Sequence, residues 1–278
     1  MDVSEKIVIS TFYKFFDFPY YETVKESLKA FCESKSLKGT ILLAKEGLNS
    51  TISGPRDGID SLYQYLHDEL NIDLDNIKES ISSFKPFGKM KVRLKNEIVT
   101  LKAGDIDVNN TKGEYIEPSD WDDFINREDV ILVDTRNDYE VNLGTFKGAI
   151  DPETKTFRDF PKWLAAHKKF LEGKKIAMCC TGGVRCEKST AFLKREGFSD
   201  VYHLKGGIIN YFEKTKNANG KWQGQLFVFD DRFVVNDRLE QSFDTKCCKC
   251  DNLLTTDDAK RSGKSKYLYC LECWKCQN

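Results

Sequence analysis

Lys174-Lys175-Ile176-Ala177-Met178-Cys179-Cys180-Thr181-Gly182-Gly183-Val184-Arg185-Cys186-Glu187-Lys188-Ser189-Thr190-Ala191 is the stretch on which the fold of this chain turns. Its apolar run ends at Cys179, the glycine pair breaks the pattern, and Cys186 to Gly197 reads as a helix. A strand that turns directly into a helix is the repeating unit of a parallel sheet covered on both faces. Such sheets bind ligands at the carboxyl ends of their strands. Cys180 stands at that end.

Outward from this turn the same alternation continues. Helix Asp120 to Ile125, strand Val130 to Thr135, helix Phe157 to Leu171 (Pro161 near its start) and strand Val201 to Leu204 are expected. The first third reads differently. Strand Ile7 to Phe16, helix Tyr21 to Ser34, strands Gly39 to Ala44 and Leu48 to Ser53, helix Arg56 to Leu70 and a last strand near Lys89 to Leu101 follow the order βαββαβ, a ferredoxin-like or acylphosphatase-like α+β sandwich. Val24, Leu28 and Phe31, then Ile59, Leu62, Leu66 and Leu70, mark the helix faces, with Cys32 expected as a core thiol. Lys102 to Pro118 lacks periodicity and reads as a linker. The expected domains are 1–102, a central α/β domain at 117–216, and a cysteine-rich C-terminal extension at 217–278 that opens with Asn217, Asn219, Gly220 and the apolar run Leu226 to Phe229.

The formal net charge of −1 excludes a globally basic nucleic-acid binder, so any such surface is a local patch. No run approaches the roughly 18 apolar residues of a membrane span, and Met1 to Lys6 leads into no such run; a soluble, cytoplasmic protein is expected. Of ten cysteines, six follow residue 246 and three lie between 179 and 186, a clustering that favours metal binding and thiol chemistry over a disulfide framework.

At the Cys180 turn, unpaired backbone N–H groups and the positive end of a helix dipole would stabilise a thiolate or persulfide. Gly182 and Gly183 let the backbone curl past the sulfur, and Arg185 adds positive charge. These effects lower a thiol from about 8.5 toward roughly 3.5 to 7.5. Two registers compete: Cys180 to Arg185 spaces as C-x4-R, whereas Cys179 to Arg185 spaces as the C-x5-R of a phosphatase cradle. Cys180 is favoured, because Cys179 continues the apolar strand. Thr181 and Val184 complete the loop, and Cys186 is either a resolving thiol or a packed small residue. Asp134 and Arg136, ending a neighbouring strand, are expected to brace the pocket through a buried ion pair or loop hydrogen bonds.

Lys89, Lys91, Arg93 and Lys95 alternate with Met90, Val92 and Leu94, which puts four cations on one face of a strand, with Lys85 just upstream. Such a patch neutralises phosphates in an RNA-binding protein, and equally guards a solvated edge strand. Phe84, Phe87, Tyr13 and Phe15 would stack on unpaired bases or fill the core, and Lys45 to Asn49 reads as a turn. Cys247, Cys250, Cys270 and Cys273 form two C-x2-C pairs 19 residues apart, a spacing suited to structural zinc, the alternative being unliganded thiols. Cys248 and Cys276 are then spare, and Lys260, Arg261, Lys264 and Lys266 lie between the pairs. No nicotinamide or flavin fingerprint is found. His67, His167 and His203 are the only histidines, and they give no two-histidine-plus-carboxylate iron pattern.

Asp134 to Glu140, Gly144 to Ile150, Cys180 to Lys188 and Leu204-Lys205-Gly206-Gly207-Ile208 resemble the landmarks of a rhodanese domain. Together with Lys89 to Lys95 and Gly39-Thr40-Ile41-Leu42-Leu43-Ala44, the chain resembles the rhodanese-related tRNA uridine(34) hydroxylases over nearly its whole length. The resemblance implies oxygen-dependent formation of 5-hydroxyuridine at the wobble position, molecular oxygen as co-substrate, the tRNA anticodon arm as partner, and Cys180 as a persulfide-forming residue. Cys179 departs from the aromatic residue expected there. A sulfurtransferase or persulfide carrier working with a sulfur donor or acceptor uses the same loop, and a non-enzymatic binding module is the third reading. The sequence fixes no oligomeric state.

Overall fold

The computed structural model describes residues 6–82, 84–242, 247, 249–250, 252, 254, 258, 261 and 268–276. Cys248, Lys260, Lys264 and Lys266 lie outside the described residues. The chain divides into two compact units, Met1–Thr100 and Leu101–Asn278.

In the first unit β1 (Ile7–Phe15), α1 (Lys25–Ser34), β2 (Lys38–Ala44), β3 (Gly47–Gly54), α2 (Arg56–Asp68), β4 (Lys78–Ser82) and β5 (Met90–Leu94) build one sheet in the order β4-β1-β3-β2-β5. Alternate side chains Val8 and Phe12 of β1, Ile41 and Leu43 of β2, and Met90 and Val92 of β5 turn to one face. There they bury with Leu28, Cys32, Ile59, Leu62 and Leu66 of the two helices. Cys32 is thus a core thiol. The βαββαβ order closes on β4, which pairs antiparallel with β1, and not on the basic strand. Lys78-Glu79-Ser80-Ile81-Ser82 carries one apolar residue, and Ile81 is 59% exposed, so hydrophobic pattern could not reveal it. The expected strand Lys89 to Leu101 contracts to β5, a fifth strand, parallel to β2 on the opposite edge. Tyr13 and Phe15 are buried, which removes them as stacking surfaces, whereas Phe84 and Phe87 are partly exposed.

The second unit begins at Leu101 and so takes in the whole of the expected linker. α3 (Val108–Thr111) and β6 (Glu114–Ile116) lie within it, and β6 pairs parallel with β10 (Val201–Leu204) as the edge of a four-stranded sheet, β6-β10-β9-β7. β7 (Val130–Asp134) and β9 (Lys175–Cys179) complete that sheet, all neighbours parallel. Three residues are too few for a periodicity signal, and tertiary pairing decides their state. α4 (Pro118–Ile125), α5 (Asp138–Val141), α6 (Phe160–Leu171), α7 (Val184–Arg195) and α8 (Gly207–Thr215) surround the sheet. Phe157–Asp159 is a separate 3-10 turn ahead of α6. β8 (Gly144–Phe146) pairs with β11 (Trp222–Gly224), and β12 (Leu226–Phe227) with β13 (Val234–Val235). Trp121, Phe146, Tyr211, Phe212, Trp222 and Leu226 form the core on one side, Phe146 packing edge-on against Trp121, Tyr211 and Trp222. No helix of the described residues is long and apolar enough to cross a membrane.

Candidate active site

The two registers of the thiol loop separate at the end of β9. Cys179 accepts backbone and hydroxyl hydrogen bonds from Thr135 at its carbonyl (both 3.0 Å), and its side chain enters the core with Trp121 and Phe146. Burial pushes that thiol far above its ordinary range. Cys180 turns into the loop, where its Sγ accepts the Gly183 N–H at 3.2 Å. Gly183 takes φ 100° as the N-cap of α7, a conformation that an L side chain rarely adopts; Gly182 has no positive φ, so one glycine rather than two makes the turn. α7 therefore starts at Val184, and Cys186 is its third residue.

The first turn of α8 closes the loop from the other side. Ile208 N–H donates to the Cys180 carbonyl (2.9 Å) and Ile209 N–H to that of Thr181 (3.1 Å). Gly207, at φ 73°, lies so near that an added Cβ would come within 2.6 Å of the Cys180 oxygen and the Gly183 nitrogen. Gly207 thus serves the close approach of two backbones.

Arg185 is not a free charge. Its Nη1 and Nη2 donate to Glu140 at 2.6 and 2.7 Å, Nη2 also reaches Thr181 Oγ1 (3.1 Å), and Thr181 donates to Glu140 at 3.2 Å. Both partners are buried. A buried guanidinium requires an acid; Glu140, 45 positions away, meets it, a pairing that nothing in the sequence had indicated. Burial works against ionisation of Cys180. The hydrogen bond from the Cys186 thiol, the Arg185 charge and the N–H groups of Cys186 and Gly183 outweigh it and bring the thiol down to about 6. Burial and the neighbouring Cys180 sulfur push Cys186 far up, so the pair holds one thiolate and one thiol.

Protonated below this value and ionised above it, Cys180 is expected to alkylate at a rate that climbs as pH passes about 6 and levels off above about 7. Trace iodoacetamide labelling with peptide mapping measures this; a midpoint above about 8, as in a free thiol, would remove the thiolate from neutral pH.

Asp134 and Arg136 make a fully buried pair, Nε to Oδ1 at 2.9 Å and Nη2 to Oδ2 at 2.6 Å. Arg136 also donates to the carbonyls of Glu140 (3.4 Å) and Gly144 (2.6 Å), so its contacts run to α5 and β8. Asp230 and Arg232 repeat the arrangement, Nε to Oδ1 at 2.8 Å and Nη2 to Oδ2 at 2.7 Å, with Leu239 supplying the carbonyl. Nothing singled out that second pair in the sequence except the shared Asp-x-Arg spacing. It anchors the segment that carries Phe229, whose half-exposed ring lies 5.9 Å from the Arg185 guanidinium carbon.

Lys91 and Arg93 lie on β5, flanked by Lys89 and Lys95, and no ion pair among the described residues engages these four. The sulfurs of Cys247, Cys250, Cys270 and Cys273 all lie within 4.8 Å of one another, while Cys276 is exposed outside the group. Arg261 is paired with Asp258 at 2.6 Å.

Two family models match: a UPF0176 acylphosphatase like domain over residues 7–98 and a rhodanese-like domain over residues 117–214. A relative from Wolbachia pipientis wMel is 49% identical over 96% of both chains. One from Ehrlichia canis is 47% identical over 96% of this chain and 97% of its own. A third, from Picosynechococcus, is 45% identical over 96% of this chain and 89% of its own. Each is named tRNA uridine(34) hydroxylase, and with such identity along nearly the entire length, the chain belongs to the tRNA uridine(34) hydroxylase family.

Proposed function

We propose that this protein hydroxylates uridine 34 of tRNA at C5, with Cys180 as the reacting thiol and molecular oxygen as co-substrate. The observation that carries the reading is an acidic thiol in a closed N–H loop within a chain nearly half identical to enzymes named for that reaction. A C5 hydroxylation needs electron density at C5 of a ring that is electron-poor. Addition of the Cys180 sulfur to C6 supplies it: the ring π electrons move toward the C4 carbonyl, and C5 becomes nucleophilic toward oxygen. Expulsion of the thiolate with loss of the C5 proton restores the ring. Asp134 and Arg136 support this loop through Glu140. Lys89, Lys91, Arg93 and Lys95 offer an unpaired basic edge to the phosphates of the anticodon arm, consistent with action in the compartment that holds tRNA. Mass spectrometry of nucleosides from tRNA incubated with the purified protein in air and under nitrogen tests the reading. 5-Hydroxyuridine formed only in air supports it; unchanged uridine 34 together with brisk thiosulfate-to-cyanide sulfur transfer would establish the alternative, a sulfurtransferase, which the same acidic thiol would serve.

The four C-terminal cysteines suit structural zinc. A tetrahedral ion with Zn–S of about 2.3 Å separates its sulfurs by roughly 3.8 Å, and Cys250 and Cys270 lie 3.6 Å apart. Zinc would close this tail, which carries few apolar residues of its own, and would take no part in the chemistry of the base. One zinc per chain is expected by plasma mass spectrometry, and loss of the metal in the double variant Cys250→Ser, Cys273→Ser; a metal-free wild type would refute the assignment.

A further inference from the structure

The first turn of α7 brings a second thiol to the reacting sulfur. Cys186 is fully buried, its S–H donates to Cys180, and its Sγ lies 3.6 Å from Thr135 Oγ1. Cys179, although adjacent in sequence, sends its side chain to the core instead. The hydroxylation itself poses a requirement of two electrons. Molecular oxygen gives one atom to C5, and the second must leave as water, which takes two electrons and two protons from a donor. A pair of thiols that closes to a disulfide releases that number.

We propose that Cys186 is the resolving thiol of the hydroxylation, and that the Cys180–Cys186 pair is the two-electron reductant of each turnover. The inference rests on the hydroxylation reading above. In the first step C5 takes up O2 and the base leaves Cys180 as a 5-hydroperoxide. The Cys180 thiolate then attacks the outer oxygen: the O–O bond breaks, an S–O bond forms, the inner oxygen remains on C5 as the hydroxyl after protonation, and Cys180 becomes a sulfenic acid. Cys186 attacks that sulfur, an S–S bond forms, and the sulfenic oxygen leaves with the Cys186 proton as water. The sum is uridine, O2 and two thiols going to 5-hydroxyuridine, water and one disulfide. The hydrogen bond already joining the sulfurs spares the second attack any large motion. Any cellular dithiol reopens the pair.

The test uses full-length protein, reduced and freed of external thiol, mixed with unmodified tRNA in air. Up to one 5-hydroxyuridine per chain is expected, matched by an equal amount of Cys180–Cys186 disulfide in peptide mapping. In Cys186→Ser, and in Cys186→Ala as a check that neither result reflects folding, dimedone-reactive sulfenic acid at Cys180 replaces the disulfide. Sustained turnover with dithiothreitol falls at least ten-fold in both. Product formed while both wild-type thiols stay reduced, or variants that turn over like the wild type, would overturn the proposal alone. No product from the wild type even with dithiothreitol would overturn the hydroxylation reading, and this inference with it.

Discussion

Cys180→Ser is expected to lower 5-hydroxyuridine formation by at least about a thousand-fold, the usual scale for loss of a covalent nucleophile, while the protein melts close to the wild type. A serine hydroxyl keeps an acceptor for the Gly183 N–H, so the loop loses little. Its proton, however, cannot be held off near neutral pH by the contacts that bring the Cys180 thiol to about 6. Cys180→Ala loses the same activity and additionally leaves that N–H without a partner inside the protein, at about 1 to 3 kcal/mol. Mass spectrometry of tRNA nucleosides and a thermal melt separate the two effects. Retention of more than about a tenth of the activity in a well-folded serine variant, far above what nucleophile loss leaves, would show that the reacting thiol lies elsewhere.

The second large effect falls on a residue that touches no substrate. Glu140→Ala strands the Arg185 guanidinium in a buried site, and breaking such a pair from one side costs about 3 to 5 kcal/mol. A unit of this size loses roughly 2 to 4 °C of melting temperature per kcal/mol, so a drop near 10 °C is expected. Glu140→Gln keeps the shape and much of the hydrogen bonding. With the carboxylate charge gone, Arg185 acts on Cys180 unopposed, and the midpoint of alkylation should move below about 6. A melt equal to the wild type in Glu140→Ala, or a midpoint that rises in Glu140→Gln, would contradict the network described here.

What the sequence disclosed and what it withheld divide along the range of the interactions involved. Strand, glycine and helix around Cys180 are consecutive, so local propensity and hydrophobic period place them, and the parallel character of the sheet follows from the same alternation. The favoured Cys180 register could be argued because Cys179 continues a strand. Glu140 was out of reach because its partner is 45 positions away and neither residue alone differs from a surface charge. Glu114 to Ile116 and Lys78 to Ser82 were missed for a related reason: each becomes a strand by pairing, with no apolar alternation of its own. The helix α8 was hidden behind Gly206 and Gly207, residues that argue against helix in isolation; here Gly206 is its left-handed N-cap and Gly207 allows the approach to the Cys180 loop. The Asp230–Arg232 pair offered no signal beyond the Asp-x-Arg spacing it shares with Asp134 and Arg136, being a local clamp that burial makes visible.

The placement of β6 bears on how this unit is synthesised and on how it can be cut. Its residues emerge from the ribosome first, yet their partner strand β10 follows about 88 positions later, so the sheet cannot close cotranslationally until most of the unit has appeared. Until then β6 has no partner. A fragment begun at residue 117, where the rhodanese-like match starts, would lack β6 and present a bare row of N–H and C=O groups along β10, inviting self-association. The three residues Glu114 to Ile116 therefore act as a seal, and the smallest well-behaved version of this unit begins before them.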